Sequence, residues 1–294
     1  MSRKIILAAA FAVAFAAAAG AQAFAVSYLD GTAEVGTARS WKTIAIGDTV
    51  PADGSVRVSQ NGSLELTRGT LRITILRDGV YDVAVLARSA GKDGSMNLGS
   101  TLTQKLASLT TERSRGSQAA GVRGEMQAEA PVTWMDENDQ ARGQAQTLLD
   151  EKKFSEALKV LDKAIRDSTE DTDRAELMYL MGVAYYGSGQ TARAYRVLEQ
   201  ISPDPETGWY SPYVILKSQV LVDTFNFKDA LAVLSPFISA FPAGEAAQMA
   251  YLLTFYSQKG LGDPASAQAA LESGYALDPS TDTARLIRQQ MKAR

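Results

Sequence analysis

The chain has 294 residues and contains neither cysteine nor histidine. Without cysteine there can be no disulfide, no thiol nucleophile, no thiolate metal site and no lipoprotein anchor carried on cysteine. Without histidine there is no Ser-His-Asp triad and no imidazole ligand, and the one side chain that titrates near neutrality unaided is missing. Catalysis would have to run on carboxylates, lysine, tyrosine or a Ser-Lys pair. Basic charge is also in short supply: 30 Lys and Arg stand against 33 Asp and Glu, a net charge of −3. Such a surface argues against nucleic acid as a partner. Beyond the N-terminus no segment is apolar enough to cross a bilayer. No cofactor and no metal site is expected.

One apolar run is present, and it reads as a secretory signal. Arg3 and Lys4 precede the stretch from Ile5 to Gly20, and Ala21-Gln22-Ala23 and Ala23-Phe24-Ala25 both offer small residues where cleavage is decided. Residues 1–25 are set aside as a cleaved signal peptide. That makes the protein periplasmic or otherwise exported, with no stable membrane span once cleaved. The alternative is a retained anchor, because Ile5 to Val26 could almost span a bilayer. Without Arg3 and Lys4 the count is 28 basic to 33 acidic residues, and residues 131–294 hold 16 of the basic and 22 of the acidic ones.

Residues 26–90 carry the marks of short strands. Ser63-Leu64-Glu65-Leu66-Thr67 and Leu71-Arg72-Ile73-Thr74-Ile75 alternate polar and apolar residues, and Arg77-Asp78-Gly79 turns the chain ahead of a further strand from Val80 to Leu86. Breaks at Asp30-Gly31, Gly47-Asp48, Asp53-Gly54 and Asn61-Gly62 divide the rest. The expectation is a small all-β roll or sandwich. Residues 91–135 are richer in Gly, Ser, Thr and Gln and read as a linker. Leu98, Leu102, Leu106 and Leu109 give it one short amphipathic piece.

Residues 136–294 are helical and repetitive. Ala157, Ala194, Ala230 and Ala267 recur at intervals of 36 or 37 residues, and twelve residues before each lie Ala145, Gly182, Ser218 and Phe255. Three of those four are small, which lets paired helices approach closely; Phe255 departs from the pattern. Pro242 and Pro279 fall where two units should end, and Pro203 and Pro205 serve the second unit. Over residues 137–280 this resembles the tetratricopeptide repeat family, about four two-helix units in a solenoid. Thr281 to Arg294 reads as the capping helix such an array needs. The fold class is thus α+β in two domains.

The β region resembles the FecR domain of bacterial envelope proteins. The residues that carry this are Gly31 to Val35, Trp41, Ile44, the Gly47-Asp48 pair with Val50, and Gly121-Val122-Arg123-Gly124 near the end of the region. The resemblance implies an envelope role. The chain lacks the cytoplasmic helices and the long periplasmic tail of the family's namesake, so direct signalling to a sigma factor does not carry over. A place in a FecR-type signalling system stays open as an alternative.

Other features have plain readings beside the chemical ones. The acidic clusters at Asp136, Glu137 and Asp139 and at Glu170, Asp171 and Asp173 sit where helices should start, and acids there complement the helix dipole. Neither has the glycine and distal glutamate of a calcium loop. Arg123 fits a structural turn better than an anion clamp. Trp41 and Trp134 could stack on a glycan, but packing is the simpler reading: Trp41 over the β core, Trp134 at the domain junction.

In a stacked array the first helices of the units line the inner face. The register places Arg142, Gln146 and Leu149 there, then Tyr179, Val183 and Tyr186, then Ile215, Gln219 and Val222, then Leu252, Tyr256 and Lys259. Tyrosine offers large contact area at low entropy cost, so these positions read as a peptide groove. The functional expectation is a non-enzymatic periplasmic adaptor or scaffold. Its repeats would hold an envelope protein or peptide, and its β domain would dock to the envelope. The alternative is a module that binds peptidoglycan or another glycan.

Overall fold

The computed structural model describes residues 23–37, 40–92 and 137–292. The chain divides into two compact units, residues 1–96 and 97–294. Residues 1–22, the leucine-bearing piece of the linker, the Gly121 to Gly124 motif, Trp134 and Asp136 lie outside the described residues.

Among its described residues the first unit holds eight strands, all paired antiparallel: β1 (Ala23–Asp30), β2 (Ala33–Thr37), β3 (Ser40–Ile44), β4 (Thr49–Pro51), β5 (Ser55–Val58), β6 (Ser63–Arg68), β7 (Leu71–Ile75) and β8 (Gly79–Asp82). They form two sheets, in the orders β4-β1-β6-β7 and β3-β2-β5-β8. Alternation along each strand sends one set of side chains inward. Phe24, Val26, Val50, Leu64, Leu66, Ile73 and Ile75 from the first sheet meet Ala33, Ile44, Val56 and Val58 from the second in one core. β1 begins at Ala23, inside the stretch set aside as signal, and Phe24 is fully buried. Gly47 takes φ +93° between β3 and β4, a conformation costly for a side chain with Cβ. The backbone N–H of Ala45 donates to the Asp48 carboxylate at 2.9 Å, and Gly47 N–H donates to Val26 O at 2.9 Å. The Gly47-Asp48 pair therefore closes a turn and ties it to β1.

The structure corrects two readings of this unit. The run from Val80 to Leu86 is not one strand: β8 stops at Asp82, and helix α1 (Val83–Lys92) follows. Asp82 ends the strand by accepting the N–H of Val85 at 2.9 Å, in the manner of an N-cap. A short apolar run by itself does not separate strand from helix. Trp41 does not cover the core. It is half-buried on the outer face of β3, with the Arg57 guanidinium 4.1 Å from its ring.

The second unit is a series of antiparallel helices: α2 (Glu137–Asp150), α3 (Phe154–Asp167), α4 (Asp171–Gly187), α5 (Thr191–Glu199), α6 (Tyr210–Asp223), α7 (Phe227–Ala240), α8 (Glu245–Gly260), α9 (Pro264–Leu277) and α10 (Asp282–Lys292). Each helix packs on the next, and α2, α4, α6, α8 and α10 also touch in sequence. This is the nearest-neighbour stacking of a solenoid.

The four hairpin turns share one geometry. Lys152, Gly189, Phe225 and Gly262 all adopt positive φ, at 59°, 76°, 60° and 79°. The N–H after each donates back across the helix end: Lys153 to Leu148 O, Gln190 to Tyr185 O, Asn226 to Leu221 O and Asp263 to Gln258 O, at 2.8 to 2.9 Å. This is a Schellman closure repeated four times.

The alanines at 157, 194, 230 and 267 are buried, as are Ala145, Gly182 and Ser218. A Cβ on Gly182 would come within 2.8 Å of Leu198, so the α4–α5 crossing requires the missing side chain. In the last unit Phe255 blocks the usual crossing point. The small residue there is Gly274 on α9, where a Cβ would sit 2.8 Å from Tyr251 Cβ on α8.

Helix α10 is tied down by polar contacts as well as by buried Ile287. Gln248 Nε2 donates to Asp278 O at 2.7 Å, Thr281 Oγ1 donates to Gln248 Oε1 at 2.6 Å, and Thr283 Oγ1 donates to Glu245 at 2.8 Å.

Candidate functional site

The first helices of the four units carry the residues read from sequence as a groove, and the structure corrects that reading for most of them. Tyr179, Val183, Tyr186, Gln219, Val222, Leu252 and Tyr256 are buried, together with Leu149 and Ile215. They are interior to the array rather than an open surface. Arg142 and Gln146 are half-buried and Lys259 is exposed, so these three remain reachable. The periodicity located the helices correctly but not their rotation. The α5–α6 segment adds cover that no repeat register foresees: the Trp209 ring stacks on Tyr179 with centroids 5.6 Å apart. Tyr213, the residue that closes this aromatic group, lies 3.0 Å from Leu198 O and 2.9 Å from Ile201 O through its hydroxyl.

Two polar knots join neighbouring first helices. At the N-terminal end, Arg142 on α2 meets Asp139 on its own helix at 2.6 Å and Asp173 on α4 at 3.2 Å. Its Nε lies 3.2 Å from Glu176 Oε2, but not in hydrogen-bond alignment. Asn138 Nδ2 also donates to Asp173, at 3.2 Å. Asp173, read as a helix-start residue, thus also joins the first two helical hairpins, while Asp139 holds Arg142 from its own helix. Burial pushes the Glu176 carboxyl above the usual carboxylate range, against the pull of Arg142.

In the second knot Tyr186 and Gln219 are buried and Asp223 is half-buried. Tyr186 Oη donates to Asp223 Oδ2 at 2.6 Å, and Gln219 Nε2 donates to Asp223 Oδ1 at 2.6 Å. Loss of water raises the Asp223 carboxyl to about 6, while these two hydrogen bonds pull it down. Burial and the adjacent Asp223 raise the Tyr186 hydroxyl well above its ordinary value. Gln219 Oε1 in this knot has no partner, and neither does Tyr179 Oη about two turns earlier on α4. Sequence reasoning missed Asp223; its signal was the spacing of 37 residues from Tyr186, one repeat length.

Among the described residues no group of three or more acids could hold a metal ion. No described helix is long and apolar enough to cross a membrane.

Comparison with known proteins bears on the helical unit. Residues 148–207 match the tetratricopeptide repeat family, a stretch running from the end of α2 past α5. No curated protein matches the chain. Among solved structures it is similar to one described as "MamA RS-1 ArsTM double mutant". That similarity is 23% in identity over 54% of this chain and 87% of the other, with a TM-score of 0.41. The chain combines an all-β region of two antiparallel sheets with a solenoid-like array of paired helices, of which residues 148–207 match the tetratricopeptide repeat family.

Proposed function

We propose that this protein is an exported, non-enzymatic adaptor of the cell envelope, whose helical array binds a protein partner. The observation that carries the reading is the fourfold recurrence of one helical hairpin in register, which generates an extended, side-by-side helix surface rather than a closed cleft. The residues left accessible on the first helices, Arg142, Gln146 and Lys259, are the contacts proposed for the partner. The FecR-like β unit would dock the adaptor at the envelope, and the N-terminal signal would deliver it to the periplasm. No residue is nominated for catalysis.

The test is site-specific photo-crosslinking in cells, with the probe placed at Gln146 and at Lys259 in the full chain. Protein adducts are expected at both positions. Exposed Ser239 on α7 serves as the comparison site. Adducts at Ser239 with none at Gln146 or Lys259 would place the partner on the opposite helices and remove the reading.

A further inference from the structure

The β unit carries a polar depression that the adaptor reading does not use. It lies on the outer face of the β3-β2-β5-β8 sheet. Cross-strand pairing sets Thr43, Glu34 and Arg57 in one row, since Glu34 faces Thr43 on β3 and Arg57 on β5. Thr32 and Ser59 complete the lining of a hollow of about 210 Å³, room for a single ring rather than a chain. Thr32 N–H donates to Ser59 Oγ at 3.0 Å, which fixes that rim.

Two contacts hold the guanidinium in place. Arg57 Nη1 donates to Glu34 Oε2 at 3.1 Å, and the Trp41 ring lies 4.1 Å from Arg57 Cζ. Stacking on an indole and pairing with a carboxylate are the two ways a guanidinium is preorganised. The pair is close to neutral in sum. A carboxylate or phosphate ligand would meet Glu34, and an ammonium ligand would meet Arg57. What remains is a set of unused guanidinium N–H donors, a carboxylate acceptor, and the hydroxyls of Thr32, Thr43 and Ser59, all within one ring's reach. An uncharged molecule with adjacent hydroxyls, each both donor and acceptor, matches that set.

We infer that this face is a saccharide-binding site, in which Arg57 and Glu34 hydrogen-bond neighbouring hydroxyls of one neutral sugar ring. Trp41 positions Arg57 and borders the site. The inference concerns the β unit alone and does not depend on what the helices bind.

The experiment is calorimetric titration of the full chain with two neutral probes, an N-acetylglucosamine tetramer and a glucose tetramer. At least one is expected to bind, with a change in Trp41 emission that a Trp41→Phe variant loses. Glu34→Gln and Arg57→Met are each expected to weaken binding about ten-fold, the effect of one well-made polar contact. Far-UV circular dichroism of both variants is expected to match the parent. No binding of either probe at millimolar concentration overturns the proposal, as does equal binding by both variants. Binding of polyglutamate at this face in place of sugar overturns it too. Crosslinking at Gln146 and Lys259 is read separately, so failure here and failure of the adaptor reading are distinguishable.

Discussion

Lys152, Gly189, Phe225 and Gly262 occupy equivalent places in four turns, yet only two of them are glycine. A residue with Cβ pays roughly 1–2 kcal/mol to sit at positive φ. Glycine gives back part of that advantage through its greater freedom in the unfolded chain. Lys152→Gly is therefore expected to raise the stability of the helical unit by about 0.5–1 kcal/mol in urea-induced unfolding, with an unchanged slope. Phe225 is a poorer choice for the same substitution, because its ring packs edge-on against Phe227 at 6.0 Å. Phe24 makes a different residue-scale point. Its ring is buried in the β core and lies under the Arg68 guanidinium, 4.3 Å away, while its backbone pairs with Val50. The sequence offers small residues for cleavage after Ala23 and after Ala25, and the later site, which sets aside residues 1–25, would remove Phe24. Removing Phe24 would leave a cavity worth about 3–5 kcal/mol. If the protein is exported as proposed, N-terminal sequencing of the mature chain is expected to begin at or before Phe24. A mature chain starting at Val26 would contradict this packing argument.

At the scale of elements, the join between α4 and α6 includes a half-buried, largely desolvated carboxylate, Asp223. Asp223 has a folded-state value of about 6 against 3.8 for the free group. The folded chain therefore holds this proton more tightly than the unfolded chain does. Its contribution favours folding at low pH and declines as pH rises from about 4 to about 6, after which it stays flat. A difference of that size between the folded and unfolded chains corresponds to roughly 3 kcal/mol. Asn cannot ionise and keeps an acceptor for Tyr186 or Gln219. The stability of Asp223→Asn relative to the parent is thus expected to improve by about 2.4 kcal/mol between pH 4 and pH 7, measured by urea unfolding at each pH. A pH-independent difference would show that the carboxylate is not desolvated in solution. The Arg142 knot between α2 and α4 behaves differently. Its arginine is partly exposed and shared among three acids, so breaking any one ion pair is expected to move stability by only a few tenths of a kcal/mol.

At the scale of the whole molecule, two units with different grammars lie on one chain. In the β unit, outer and inner faces separate by alternation, so one row of a sheet can be spent on recognition without disturbing the core. In the helical unit, stability comes from each hairpin lying on the next, so the proposed partner surface would arise by repetition, and the array must be closed at its end. Thr281 and Thr283 make that closure, bonding to Gln248 and Glu245 on α8. Crosslinking at Gln146 and Lys259 and sugar titration of the Glu34–Arg57 face address these two units one at a time.

How far the sequence reaches differs between these scales. The interval between Ala157, Ala194, Ala230 and Ala267 was enough to find the helical pairs, because close helix packing demands small side chains at fixed spacing. Strand alternation in Ser63 to Ile75 was enough to place β6 and β7, because a sheet with one dry face must alternate. The sequence did not say that Val83 starts a helix, since an apolar run satisfies either period and Asp82 as a cap is recognised only once the backbone turns there. Nor did it say that Tyr179, Tyr186 and Gln219 face inward. Periodicity names which residues share a helix face. Which neighbour covers that face depends on the rotation of each helix and on segments such as Trp209 that belong to no repeat. The role of Trp41 was likewise decided in three dimensions: pleat direction alone turns an indole toward the core or toward Arg57, and only the register of β2, β3 and β5 fixes which.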